Sequence, residues 1–411
     1  MDKFENLLEK YANLVISKGV NIQKDKLLFI NSPIECAPFA RLLCKEAYKA
    51  QAKDVYINYS DELFTRLRFE NASCDTLSNV PQYEIDKYNY FTDNGASFIS
   101  ISASNPSLFN GIDSKKIASA SKARSIALRD YSDKLMNNEN AWCVISLPTK
   151  AWATKVFSDV SEDEAVDKLW DAIFSVMRLK EANPNEAWKK HCNHLEERME
   201  KLQSYNFDKL LYKNSLGTNL EIGLAPNHIW CGGADHTKEG IEFIANMPTE
   251  EIFTTPKRDG INGVVYSTKP LNYSGNLIDN FSFTFKDGKI IDFTAEEGYD
   301  ALKELLDTDE GARYLGEVAL VPYDSPISNS NILFYNTLFD ENASCHLALG
   351  KAYPSCIQNG EEMSDEELIK ASSNVSLTHV DFMVGSKDLN IIGVTHDGKE
   401  IQVFKDGNFA F

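Results

Sequence analysis

Four stretches in the second half of the chain put carboxylates and imidazoles where apolar residues or turn formers are expected. "NMPTEEIFTTP" (246–256) sets Glu250 and Glu251 side by side in a β-prone run. "RYLGEVALVP" (313–322) opens an otherwise uncharged strand on Glu317. "FDENASCHLAL" (339–349) carries Asp340, Glu341, Asn342 and His346 ahead of an apolar run, and "SLTHVDFMVG" (376–385) places His379 and Asp381 two apart. Side chains alternate faces along a strand, so His379 and Asp381 share one face while Val380, Phe382 and Val384 share the other. Two-apart spacing of this kind delivers two donors to one metal ion.

Each stretch also has an ordinary explanation. Adjacent glutamates are usually solvated, a strand glutamate can pair with an arginine, and His379-x-Asp381 can be a core histidine steered by a carboxylate. Asp340 or Asn342 can be the N-cap of a helix carrying Leu347 and Leu349, with His346 half-buried in its first turns. Taken jointly these explanations weaken. Glu251, Glu317, Glu341, His346, His379 and Asp381 make four carboxylates and two imidazoles, and four carboxylates balance the charge of two divalent cations. Mixed oxygen and nitrogen donors suit Zn²⁺, Co²⁺ or Mn²⁺ and differ from a structural thiolate zinc site. Two such ions ~3.5–4 Å apart activate a water for hydrolysis. On residues alone, this points to a dinuclear metallohydrolase.

The elements that must position these residues fall into two textures. Over the first ~150 residues strand and helix signals alternate, as expected for an α/β arrangement with a mainly parallel sheet flanked by helices. "KLLFIN" (26–31), "DVYINY" (54–59), "ASFISIS" (96–102) and "AWCVISLP" (141–148) read as strands, and 115–136 as one long helical run. No G-x-G-x-x-G follows the first strand, so no dinucleotide site is indicated. Residues 161–205 read as helical, opening on the capping box "SEDE". His191 and His194 sit there at i, i+3 among lysines and glutamates, and are read as a solvated face. From about 207 strands and turns take over, with hairpins at Asp287-Gly288 and Asp406-Gly407. The expected domains are 1–205, an N-terminal α/β domain, and 206–411, a C-terminal α+β domain carrying the dinuclear metal site.

Composition narrows the partners. The net charge of −19 over 411 residues repels phosphate backbones, so nucleic acid is not an expected partner. No run approaches ~18 apolar residues, and the first residues do not form a signal peptide, so neither a membrane span nor export is expected. The eight cysteines form no C-x-x-C pair and read as reduced thiols of a cytoplasmic protein.

The same stretches, with "STKPL", "DSPIS" and "GKAYP", resemble the thermophilic-type metallo-aminopeptidases, the family of aminopeptidase T, aminopeptidase S and PepS. They occur in the family's order, and the likeness spans essentially the whole chain. The resemblance implies metal-ligand roles for one glutamate of "PTEE", with Glu251 favoured, and for Glu317, His346, His379 and Asp381. It makes Glu317 the bridging carboxylate and Glu341 a sixth ligand or a close supporting group. Glu250 becomes a candidate general base or a supporting acid behind the ligands, and Tyr353 matches a tyrosine that steadies the tetrahedral intermediate. Two divalent ions are implied, Zn²⁺ foremost, with Co²⁺, Mn²⁺ or Mg²⁺ as substitutes. The implied activity removes N-terminal residues from short peptides with a free N-terminus, in a homodimer whose active sites face an enclosed cavity. The N-terminal domain would supply cavity wall or dimer contacts. The alternatives are another dinuclear hydrolase of phosphoesterase type, which lacks its anion cradle here, and a non-catalytic peptide-binding relic.

Overall fold

The computed structural model describes residues 3–273 and 276–411. The chain divides into two compact units, one of 1–193, 233–249 and 332–338, the other of 194–232, 250–331 and 339–411. Two segments of the second half thus belong to the first unit.

The first unit contains a four-stranded parallel sheet of β1 (Leu27–Pro33), β2 (Asp54–Ser60), β3 (Ser97–Ile101) and β4 (Trp142–Ile145), in the order β2-β1-β3-β4. Consecutive apolar residues in β1 (Leu28, Phe29 and Ile30) are all fully buried, as a strand covered on both faces requires. Phe29 stacks among the rings of Tyr56, Tyr88, Phe91 and Phe98. The helical run expected over 115–136 is two helices, Ser114–Ala127 and Arg129–Met136, which meet at Leu128. His194 is exposed, whereas His191 is half-buried and its Nε2 lies 2.7 Å from the carbonyl of Thr249. The solvated-face reading therefore fits His194 and not His191.

The second unit holds an eight-stranded antiparallel sheet whose edge strands are Lys289–Thr294 and Asn408–Phe409, with Phe207–Lys213 in its interior. Both expected hairpins are present, and Asp287, Gly288, Asp406 and Gly407 all take the positive φ that a type I′ turn demands. Beside it is a five-stranded antiparallel sheet of β5 (Cys231–Gly232), β6 (Ile252–Thr254), β7 (Leu315–Leu320), β8 (His346–Gly350) and β9 (His379–Met383), in the order β9-β8-β7-β6-β5. One face of this smaller sheet enters the core of the unit through Ile252, Val318, Leu320, Leu347, Leu349 and Phe382, which pack with Phe281 and Phe283. Burying each such side chain contributes ~1.5–3 kcal/mol.

His346 corrects one expectation. It opens β8 instead of lying in the first turns of a helix, and a single 3₁₀ turn, Glu341–Ala343, precedes it. The cause is tertiary. "HLALG" is buried along its whole length between β7 and β9, and that burial overrides the capping signals in "FDENA".

Candidate metal centre

Strand register brings the four stretches together on the face of the small sheet opposite its core. Glu317 of β7 pairs with Ala348 of β8, and Ala348 with Asp381 of β9, forming one row. The next row is Phe253, Ala319, His346 and Met383. Gly350 pairs with His379, and Glu251 lies two residues before Phe253. Cross-strand partners share a face, so every one of these side chains points the same way. Ala319, Ala348 and Gly350 leave the space that the charged groups occupy.

Two glycines make this arrangement possible. Gly316 is the extra residue of a β-bulge between Leu315, paired with Leu349, and Glu317, paired with Ala348. In a regular ladder Glu317 would oppose Leu347 and face the core; the bulge re-aims it. A Cβ on Gly316 would lie 2.4 Å from the carbonyl oxygens of Gly350 and Lys351. Gly350 has φ +97°, and a Cβ there would lie 2.1 Å from the Thr378 carbonyl, so only glycine fits where β8 meets β9.

The geometry gathers the donors into two groups. In the first, His346 Nε2 lies 3.0 Å from Glu251 Oε2 and 3.5 Å from Glu317 Oε1. In the second, His379 Nε2 lies 3.5 Å from Glu317 Oε2 and 3.3 Å from Asp381 Oδ1. Glu317 belongs to both. The first group is buried, while the His379 and Asp381 side chains keep 20% and 15% exposure. Glu341 is buried close by, near enough for Asp381 and Glu251 to act on its charge. Glu250 is a member of neither group. It is buried, and its backbone N–H donates to Asn342 Oδ1 at 2.7 Å.

The imidazoles are oriented from behind. His346 Nδ1 meets the carbonyls of Glu341 and Ser344 at 3.0 and 3.2 Å, and His379 Nδ1 meets that of Lys351 at 2.7 Å. A ring that donates its Nδ1–H to a carbonyl carries its lone pair on Nε2. Here that lone pair faces carboxylate oxygens, which accept and do not donate. Only a second proton or a cation reconciles the two. The electrostatics agree. Burial alone would lower His379, but Asp381 and then Glu317 outweigh it and hold its pKa at about 9. His346 is raised well above its ordinary value in the same way by Glu251 and Glu317. Burial, reinforced by neighbouring carboxylates, pushes Glu341 well up and Glu317 up as well.

Among the described residues, no lysine or arginine forms an ion pair with Glu251, Glu317, Glu341 or Asp381. In the coordinating state, with both imidazoles neutral and all four carboxylates ionised, the set carries −4, a charge that two divalent cations neutralise. Buried charge of that size is stable only when paired or coordinating metal. The donor set therefore fits a metal centre on its own chemistry.

Tyr353 stands at the edge of the cluster. Its ring meets that of His379 edge-on with centroids 5.2 Å apart and lies 5.5 Å from Phe253. Burial, and then Glu317 and Asp381, raise its pKa well above the ordinary phenol value. Two supporting residues escaped the reading of the sequence. Asn342, which reads there as a cap, instead accepts from the Glu250 N–H and donates to Glu341 Oε1 at 3.3 Å. Asn374, fully buried, donates to the carbonyls of Gly311 and Gly350 at 2.8 and 2.6 Å, and its own carbonyl accepts from Ala352 N–H. The one available signal was an amide residue inside a polar loop, which is too common to single out.

Comparison with known proteins gives a consistent picture. The family model for thermophilic metalloproteases (M29) matches residues 4–409. Aminopeptidase 2 of Geobacillus stearothermophilus is 49% identical over all of this chain and 99% of its own length. Aminopeptidase AmpS of Bacillus subtilis is likewise 49% identical, with both chains covered in full. Among solved structures, wild-type AmpT from Thermus thermophilus superposes with a TM-score of 0.91 at 36% identity, over 99% of this chain and 100% of that one. A full-length match at this level of identity leaves no segment of the site outside it, and the chain belongs to the thermophilic metalloprotease (M29) family.

Proposed function

We propose that the chain is a metal-dependent aminopeptidase working with two divalent cations. Glu251, His346 and Glu317 would hold one, and Glu317, His379 and Asp381 the other, with Glu317 shared. The observation that carries the reading is the place of Glu317, one oxygen turned to each imidazole at 3.5 Å. When bound, such cations lower the pKa of a water and polarise a peptide carbonyl.

The residues of the chain do the rest. Glu251, Glu317, Glu341 and Asp381 keep the site negative enough to retain the cations and to attract the charged α-amine of a peptide. Glu250 is the candidate to take a proton from the attacking water and return it to the leaving amine. Tyr353 donates its hydroxyl proton to the oxygen that becomes negative in the transition state. Exposure at His379 and Asp381 marks the side from which substrate enters. Zn²⁺ is the foremost candidate metal, with Co²⁺, Mn²⁺ or Mg²⁺ as substitutes. The reading extends to a cytoplasmic homodimer, a setting in keeping with eight cysteines that form no disulfide.

The test uses a tripeptide and its N-acetylated form, with products followed by mass. Chelation should abolish release of the first residue and Zn²⁺ or Co²⁺ should restore it, while the blocked peptide stays intact. Activity in metal-free protein, or equal turnover of the acetylated peptide, would defeat the reading.

A further inference from the structure

Two thiols lie against each other beside the site. Cys356 Sγ is 3.7 Å from Cys231 Sγ, and Cys231 Sγ is 3.6 Å from the Ser355 carbonyl. They come from distant parts of the chain. Cys231 is on β5, the edge strand of the site sheet, and Cys356 ends the 3₁₀ turn Pro354–Cys356. Cys356 is buried and Cys231 half-buried, so a small oxidant can reach the pair through Cys231.

Both partners connect to the site. Cys231 pairs with Phe253 across β5 and β6, and the Phe253 ring lies 5.5 Å from that of Tyr353. From the other side, Cys356 N–H donates to the Tyr353 carbonyl at 3.0 Å. Tyr353 thus sits between the two segments that carry the sulfurs. A disulfide needs sulfurs at ~2.05 Å, so these two must close in by side-chain rotation, and any accompanying shift of the Pro354–Cys356 turn passes to Tyr353, which adjoins it. Displacements of ~1 Å near reacting groups cost as much as ~10²-fold in rate.

We propose that Cys231 and Cys356 form a reversible disulfide under peroxide, and that the bond slows the enzyme by moving Tyr353. The Cys231 thiolate attacks one peroxide oxygen, breaking the O–O bond and giving a sulfenic acid and hydroxide, which takes up the thiol proton as water. The Cys356 thiol then attacks that sulfur; the S–S bond forms and the sulfenic oxygen leaves as a second water. Two thiols are oxidised to one disulfide and one peroxide is reduced to two waters. A dithiol reductant reverses the change by exchange. Formation of the bond stands on the sulfur geometry alone, and its effect on rate rests on the aminopeptidase reading.

The experiment treats the metal-loaded wild-type protein with hydrogen peroxide, blocks remaining thiols, and maps linked peptides by mass. One portion is assayed before and after dithiothreitol. The expected result is a Cys231–Cys356 linked peptide two hydrogens lighter than its parts. Aminopeptidase turnover should fall on the order of tenfold or more and recover with dithiothreitol. Cys231→Ser and Cys356→Ser should keep turnover in the same peroxide. Absence of the linked peptide in active protein would overturn the proposal while leaving the aminopeptidase reading intact. A linked protein with unchanged turnover would overturn the effect on Tyr353. Loss of turnover that is equal in the serine variants would do the same.

Discussion

The carboxylate of Glu317 owes its direction to Gly316. The bulge at Gly316 shifts the pairing of β7 by one residue and carries Glu317 from the core face of the sheet to the face shared with His346 and His379. Gly316→Ala should therefore act on the metal centre without touching a ligand. The new Cβ would lie 2.4 Å from two backbone oxygens, so β7 must move or flatten. The expected cost is ~1–3 kcal/mol of stability, as for other overpacked sites, with a clear loss of bound metal by elemental analysis. Normal metal content in a folded variant would show that the bulge does not aim Glu317.

Proton release on metal binding is a second expectation. In metal-free protein His379 has a pKa of about 9, raised from 6.5, so near neutrality it is protonated. A cation that takes its Nε2 lone pair must displace that proton. Zn²⁺ titrated into stripped protein near pH 7 should release protons, seen as binding heats that vary with the buffer. Release should shrink as pH rises through about 9. The sign for stability follows. A raised histidine pKa contributes stability fully present below 6.5 and lost as pH climbs through about 9. The stripped protein should thus weaken over that interval, and the loaded protein should not. Buffer-independent heats at pH 7 would contradict metal binding through His379.

Asn374 provides a third. Its side-chain amide holds the Gly350 carbonyl at 2.6 Å, one residue before Lys351, whose carbonyl orients His379 at 2.7 Å. Arg258 Nε braces it at 3.0 Å. Removing such a support for a ligand typically costs ~10–100-fold in metal affinity. Asn374→Ala should weaken the cation proposed at His379 and Asp381 more than the one proposed at Glu251 and His346. Co²⁺ titration followed by visible absorption would resolve the two. Equal weakening of both would make Asn374 a general structural residue.

How far the sequence disclosed this site depends on what each residue needed. Period-two spacing was enough for His379 and Asp381, whose face follows from Val380, Phe382 and Val384 on the other. The four parallel strands and both Asp-Gly hairpins were legible because their signals are local. His346 reads as helical from its neighbours in the chain, because its strand is defined by β7 and β9 and not by its own pattern. The bulge at Gly316 leaves no pattern in "LGEVAL", since one extra residue in a buried strand looks like any other. Asn374 and the segments 233–249 and 332–338, which return to the first unit, depend on contacts far apart in the chain, and local spacing carries no trace of them.

The last prediction separates the tyrosine from the ligands. Tyr353 packs its ring on His379 and Phe253, contacts that Tyr353→Phe keeps in full. Only the hydroxyl is lost, so metal content and thermal stability should stay near those of the parent. Burial is the first cause of the raised Tyr353 pKa, with Glu317 and Asp381 adding to it. Bound cations would offset the push from the carboxylates, but burial would remain. The phenol therefore stays protonated through the working range and can donate to a developing oxyanion. A donor of that kind acts in the transition state and hardly on the bound substrate. The variant should lose ~10²–10³-fold in kcat with KM little changed, and the alkaline limb of the pH profile should not move, because no tyrosine ionisation shapes it. Steady-state kinetics on an aminoacyl-chromophore substrate, read beside the metal content of the same samples, decides the matter. A rise in KM at constant kcat would make Tyr353 a substrate-binding residue, and unchanged kinetics would return it to the role of a packing aromatic.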